Sequence, residues 1–319
     1  MKKTKLFALL LAAPLLASCG KASVKAPKFA KYGDEVKYEK FVAALQKLSE
    51  KSDFSKDAKL PSSVFKYEQG TEMSFSLKRN DKVREETSGV EIEKYEVKHD
   101  AKNNLMQGKG TYVYAYADKG PGTEIAASDT QESDFGYQSH KAKDGTYAID
   151  VNNKAKEYSK EFKLEKDYGM AEWLDEESKN HAYNCYGYAI DLLDEYDSSD
   201  KEDKKNYKFY RNGDNIFTIE CKMSDSDNVK DEKDKVIYKY TAEVSSTAQI
   251  DMTKGKFRVV CFHEETEVRT FAQDYDEYKK GDVGTQIRRM SLTAAMDYKD
   301  VTLKAIDISN YKLYEKLYI

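Results

Sequence analysis

From Val64 onward the chain is assembled from runs in which β-branched and aromatic residues alternate with polar ones. A two-residue period puts successive side chains on opposite faces of an extended strand, so each run reads as a strand with one face for a core. The runs are Val64–Lys78, Val83–His99, Leu105–Ala117, Thr146–Val151, Tyr207–Tyr210, Asn215–Met223, Val236–Met252, Phe257–Arg269, Gln286–Asp297 and Val301–Ile308. Gly213, Gly255, Gly281 and Gly284 fall between several of them, as turn residues do. The stretch from Lys119 to Lys143, with Pro121, Gly122 and a Ser-Asp-Thr-Gln-Glu-Ser segment, reads as irregular.

Two stretches carry helical spacing instead. Val36, Phe41, Ala44, Leu45 and Leu48 form one stripe. Met170, Trp173, Leu174, Tyr186, Ala189, Ile190, Leu193 and Tyr196 form a longer one, between Asp167 and Asp197. Helix followed by meander therefore occurs twice, and four segments match in order at an offset of about 145 residues. Among these, Phe65–Lys78 parallels Phe209–Cys221, and Leu105–Tyr116 parallels Ile250–Cys261. The expected fold is α+β: curved antiparallel meander sheets, half-barrel like, with a long helix packed on each, arising by tandem duplication. The expected divisions are 1–18, a signal peptide; 19–33, a flexible tether; and two helix-plus-meander units, 34–160 and 161–319.

The first division rests on the N-terminus. A basic Met1-Lys2-Lys3-Thr4-Lys5 precedes an apolar run from Leu6 to Ala17, the order of a secretory signal peptide. That run is too short to span a bilayer, which takes about 20 residues, and Pro14 interrupts it. Its ending, Leu16-Ala17-Ser18-Cys19, resembles the lipobox of bacterial lipoproteins. The resemblance implies cleavage before Cys19, a diacylglyceryl group on the Cys19 thiol, and attachment to the extracytoplasmic face of a cell membrane. Lys21, Lys25, Lys28 and Lys31 follow with no acid before Asp34, which suits a spacer beside anionic lipid.

The chain carries 57 Asp and Glu against 53 Lys and Arg. Three of those lysines belong to the leader, so the remainder is more acidic still, which argues against a nucleic-acid partner. No cofactor or metal is expected. His99, His140, His181 and His263 show no metal-ligand spacing, and the chain holds no Cys-x-x-Cys, Gly-x-Ser-x-Gly, His-Glu-x-x-His or glycine-rich phosphate loop. The acidic stretch at Asp225–Asp234 lacks the glycine and the terminal glutamate of a calcium loop, and reads as a charged hairpin connection. With Cys19 set apart, Cys185, Cys221 and Cys261 are an odd number and read as small buried hydrophobes, with one bridge among them possible but not assignable from sequence.

One constellation stands out as a ligand-lining candidate. Tyr112, Tyr114 and Tyr116 share a strand face, and Phe257 and Val259 occupy the matching positions of the second stretch. Anchorage, a leading helix and a long meander together resemble the half-open barrel lipoproteins of the LolA, LppX and RseB type. That resemblance implies a non-enzymatic device that holds acyl chains or senses envelope proteins. The expected function is therefore binding of a lipid or other hydrophobic molecule. The alternative is an interaction or adhesion module that contacts an envelope protein through tyrosine-rich faces.

Overall fold

The computed structural model describes residues 24–49, 62–100, 105–120, 122–141, 147–153, 160–164, 188–253, 255–297, 312–313 and 315–318. The strands are β1 (Asp34–Val36), β2 (Ser63–Arg79), β3 (Lys82–Asp100), β4 (Leu105–Gly120), β5 (Thr123–Lys141), β6 (Tyr147–Asn153) and β7 (Lys160–Leu164). They continue with β8 (Tyr207–Asn212), β9 (Ile216–Lys230), β10 (Val236–Asp251), β11 (Lys256–Phe271), β12 (Val283–Asp297), β13 (Lys312–Leu313) and β14 (Glu315–Tyr318). Helix α1 is Tyr38–Ser49 and helix α2 covers 188–198.

The expectation of two sheets, each with its own long helix, is overturned. All the described strands join one sheet in the order β1-β8-β9-β10-β11-β12-β2-β3-β4-β5-β6-β7-β14, with β13 on β6. The seam is β12 against β2, antiparallel over an unbroken register from Val283↔Lys78 to Asp297↔Val64. Two sheets would each have left a long edge of unpaired amides here, and pairing the edges satisfies both. Beyond the far end of the seam, Arg79 donates from Nε and Nη2 to Asp282 Oδ1 and Oδ2, 2.7 Å each, with Asp282 wholly buried. The guanidinium holds the Asp282 carboxyl below the usual range.

Helix α1 is short, and it and the described part of α2 lie over the same half of the sheet. In α1, Phe41 and Leu45 face inward, one turn apart; in α2 Ala189, Leu192 and Leu193 do so. They meet Phe209, Phe217, Ile219, Cys221, Ala248, Ile250, Val259, Cys261, Leu292 and Met296 in one core. Helix α1 thus shares its core with strands that follow it by well over a hundred residues as well as with Phe65 and Tyr67 of β2, the strand next in sequence. The upstream part of the longer stripe, with Met170, Trp173 and Leu174, lies outside the described residues.

The internal parallels fail on the same register. Gly110 is inside β4, whereas its counterpart Gly255 lies in the β10–β11 turn with φ +86°. Gly70 is inside β2, whereas Gly213 turns β8 into β9 with φ +61°. Tandem duplication therefore does not describe this fold. The segment read as irregular is also a strand: β5 pairs with β4 from Leu105↔Gln138 to Gly120↔Thr123. Its residues 124–132 are all exposed, so its backbone pairing and not burial makes it extended.

On the opposite side from the helices, residues 24–33 run across the sheet as a strap. Val24 N donates to Glu72 Oε2 on β2 at 2.8 Å, and Arg258 Nη2 on β11 donates to Lys28 O at 2.9 Å. Gln249 on β10 grips Ala30, and Asn212 Nδ2 on β8 donates to Lys31 O at 2.9 Å. The chain then turns through Gly33, φ +86°, and enters β1 beside β8. A Cβ at Gly33 would lie 2.3 Å from Arg211 O, so this approach admits only glycine. What the sequence suggests as a flexible spacer is, from Val24 on, a fixed part of the fold.

Candidate functional site

The helix side of the sheet divides into a filled half and an open half. Under the helices the packing is aromatic and close. Tyr38 and Tyr196 rings lie 4.3 Å apart, Phe41 touches Phe209 and Phe217 at 5.2 and 5.4 Å, and Tyr38 OH donates to Asp197 Oδ2 at 2.6 Å. Such ring pairs add about 0.5–1.5 kcal/mol each beyond their buried area. Phe257 and Val259 belong to this core, the latter with no exposed surface. Among the described residues, side chains fill the space between the helices and β8–β12.

The tyrosine ladder lies elsewhere on the same side. Register carries that side from Val259 through Ala294 and Tyr67 to Tyr95, and from Glu93 to Tyr112. Strands β12, β2 and β3 separate β11 from β4, a distance of about 19 Å at 4.8 Å per strand. The two halves of the expected ligand-lining set are therefore not brought together. Tyr112, Tyr114 and Tyr116 are half-buried, with Tyr112 and Tyr114 rings 6.4 Å apart. Tyr67 and Tyr95 stack at 6.1 Å and 26° on the adjacent strands.

Carboxylates edge this patch. Tyr95 OH donates to Glu93, and burial followed by the Glu91 charge raises the pKa of the Tyr112 phenol. Asp118 accepts from Thr87 Oγ1 at 3.2 Å, and Met73 receives Gln286 Nε2 on its sulfur at 3.5 Å. The opposite side of the same strands carries Lys66, Lys94, Lys98 and Lys109 at alternate register positions. There Lys66 pairs with Glu96 at 3.3 Å and Lys94 with Glu68 at 2.8 Å, around a shallow open depression of about 450 Å³. Strands β2–β4 thus separate an acidic tyrosine face from a lysine-bearing one.

The other sequence candidates resolve as structure. Cys221 and Cys261 are buried, and burial pushes the Cys221 thiol up to about 12, an inert state. Cys185, His140 and His181 lie outside the described residues, as do Leu16–Cys19. His263 Nδ1 lies 2.9 Å from Ser246 Oγ, beside Glu265 and Arg288, and burial lowers its pKa. Most of the suspected acidic loop is strand: β9 continues to Lys230, and only Asp231–Lys235 turns. Asp231 Oδ1 accepts the amides of Lys233 and Lys235 at 2.9 Å, which is turn chemistry. No cluster of metal-ligating side chains occurs among the described residues.

The strap anchors are the functional-geometry residues that sequence reading missed. One signal for them exists. Gly70 interrupts an otherwise alternating strand, and a Cβ there would meet Val24 Cγ2 at 3.0 Å. A glycine inside a strand marks close approach of another segment. Gln249, 1% exposed within an apolar run, is the second such mark.

No family model matches the chain, and no curated protein matches it. Among solved structures, it is similar at 8% identity to the secretin InvG of the Salmonella SPI-1 type III secretion injectisome. That match covers 85% of this chain and 73% of that one, with a TM-score of 0.18. It is also similar, at 9% identity and a TM-score of 0.14, to a DUF1329 family protein from Desulfovibrio piger, covering 83% of this chain and 95% of that one. Similarities this loose carry no argument about fold or function.

Proposed function

We propose that this chain is a lipid-anchored extracytoplasmic binding module that presents the helix-side face of β2–β4 to another envelope protein. The observation that carries the reading is the division of one sheet face. Among the described residues, the space under the helices is filled, while farther along the same face Tyr112, Tyr114 and Tyr116 stand half-exposed in a row beside Glu91 and Glu93. Tyrosine supplies large contact area at low entropic cost and is enriched at protein interfaces. The flanking carboxylates select a partner segment bearing Lys or Arg beside apolar side chains, and speed its approach at low salt. Anchorage enters through the resemblance of Leu16–Cys19 to a lipobox. The close packing of the described side chains between the helices and the sheet favours this reading over a ligand held there.

The test is position-resolved photo-crosslinking in intact cells. A crosslinking phenylalanine analogue at Tyr114 is expected to give one discrete protein adduct, which Tyr112→Ser plus Tyr116→Ser abolishes. The same probe at Asp194, on the exposed side of α2, is expected to give none. Equal adducts at both positions, or only lipid adducts at Tyr114, would overturn the reading.

A further inference from the structure

We infer that the strap side of the sheet, centred on β2, is the surface that lies against anionic lipid. This inference rests on the proposed lipid at Cys19. Its own content comes from reach. Val24 is held on β2 by Glu72 and packs on Gly70, so only five residue steps separate it from Cys19. Fully extended, those steps span at most about 18 Å.

That length cannot carry the anchor to the other side of the sheet. β2 lies at the middle of the strand order, six strand steps from β1 at one edge and six from β14 at the other. Either edge is about 29 Å away at 4.8 Å per strand. Around the strand ends the path is no easier: Glu72 is seven residues from Arg79 and nine from Ser63, about 23 and 30 Å at 3.3 Å per residue. The lipid therefore stays on the strap side, close to β2. Had residues 19–33 been free, their contour of about 50 Å would have allowed any orientation.

Charge agrees with reach. Lys25, Lys28 and Lys31 are exposed along the strap, which contains no acid. Lys66 and Lys94, 63% and 51% exposed, lie beside the strap's start and are paired with Glu96 and Glu68, so the three strap lysines supply the positive charge that faces the leaflet. Near an anionic leaflet each such lysine contributes favourably within a Debye length, so the two effects select one orientation. The acidic tyrosine face then points away from the bilayer, toward other envelope proteins.

The experiment is lysine acetylation footprinting by mass spectrometry on the full mature protein purified from membranes. Reactivity is compared in 7:3 phosphatidylcholine–phosphatidylglycerol vesicles and in neutral detergent. Lys25, Lys28, Lys31, Lys66 and Lys94 are expected to react several-fold more slowly in vesicles, with helix-side Lys47 and Lys205 unchanged. Inserting nine Gly/Ser residues between Gly20 and Lys21 is expected to erase much of the protection at Lys66 and Lys94. Uniform reactivity, or protection of Lys47 and Lys205, would overturn the orientation. The N-terminal peptide in the same spectra reports the Cys19 lipid: if it lacks the lipid mass, the anchor reading fails, and with the lipid present but no protection only the orientation fails.

Discussion

Gln249 and Ala30 are joined by two hydrogen bonds of opposite sense: Ala30 N donates to Oε1 at 2.7 Å, and Nε2 donates to Ala30 O at 3.0 Å. Nε2 also reaches Thr218 Oγ1 at 2.9 Å. The side-chain amide takes the place of a neighbouring strand's backbone and satisfies a segment that crosses the sheet instead of joining it. Gln249→Leu keeps the volume and leaves both Ala30 groups without that partner, at a cost of about 1–3 kcal/mol. Denaturant unfolding should show that loss, and limited proteolysis should newly cleave after Lys28 or Lys31. Unchanged cleavage would mean the strap is held without Gln249.

Gly70 tests the other end of the strap without touching Gln249. Gly70→Val places two methyls where Val24 packs, since even a Cβ there sits 3.0 Å from Val24 Cγ2. Cleavage after Lys25 should accelerate, while the core keeps its far-ultraviolet circular dichroism. A protected Lys25 site in this variant would show that Val24 does not pack as described.

Phe41 is the residue through which α1 is fixed to distant strands, and it is wholly buried. Phe41→Ala should destabilise the protein by about 3–5 kcal/mol, the range for truncating a core aromatic. An exposed neighbour on the same helix, Lys40→Ala, should change stability by less than about 0.5 kcal/mol. Similar effects from the two substitutions in denaturant unfolding would contradict the placement of α1.

His263 sets a pH dependence. It faces Ser246 and lies within the fields of Glu265 and Arg288, and burial depresses its pKa from 6.5. The unfolded chain takes up the proton first as the pH falls, so stability should be full above about pH 6.5 and decline below it. Thermal unfolding of His263→Gln should show a flatter profile between pH 7 and 5 than the parent. Identical slopes would mean that His263 titrates alike in both states.

Strand content was legible because alternation survives in the sequence wherever one face is buried, as in β2, β4 and β9–β12. β5 was not, because no burial imprints a pattern on its exposed residues. Sheet assembly was also hidden: nothing local in Val283–Asp297 announces that it pairs with Val64–Lys78, more than two hundred residues earlier. The tyrosine face could be read from spacing, but its distance from Phe257 and Val259 depends on that same pairing. The strap left only the traces at Gly70 and Gln249.

The central claim is that the protein works through an open sheet face and not through a cavity. Native mass spectrometry of the mature protein, purified from membranes in mild detergent, tests it most directly. The account predicts the mass of the chain plus its covalent Cys19 anchor and nothing further. A stoichiometric, non-covalent lipid that persists under gentle activation and is lost in Val259→Trp would contradict it.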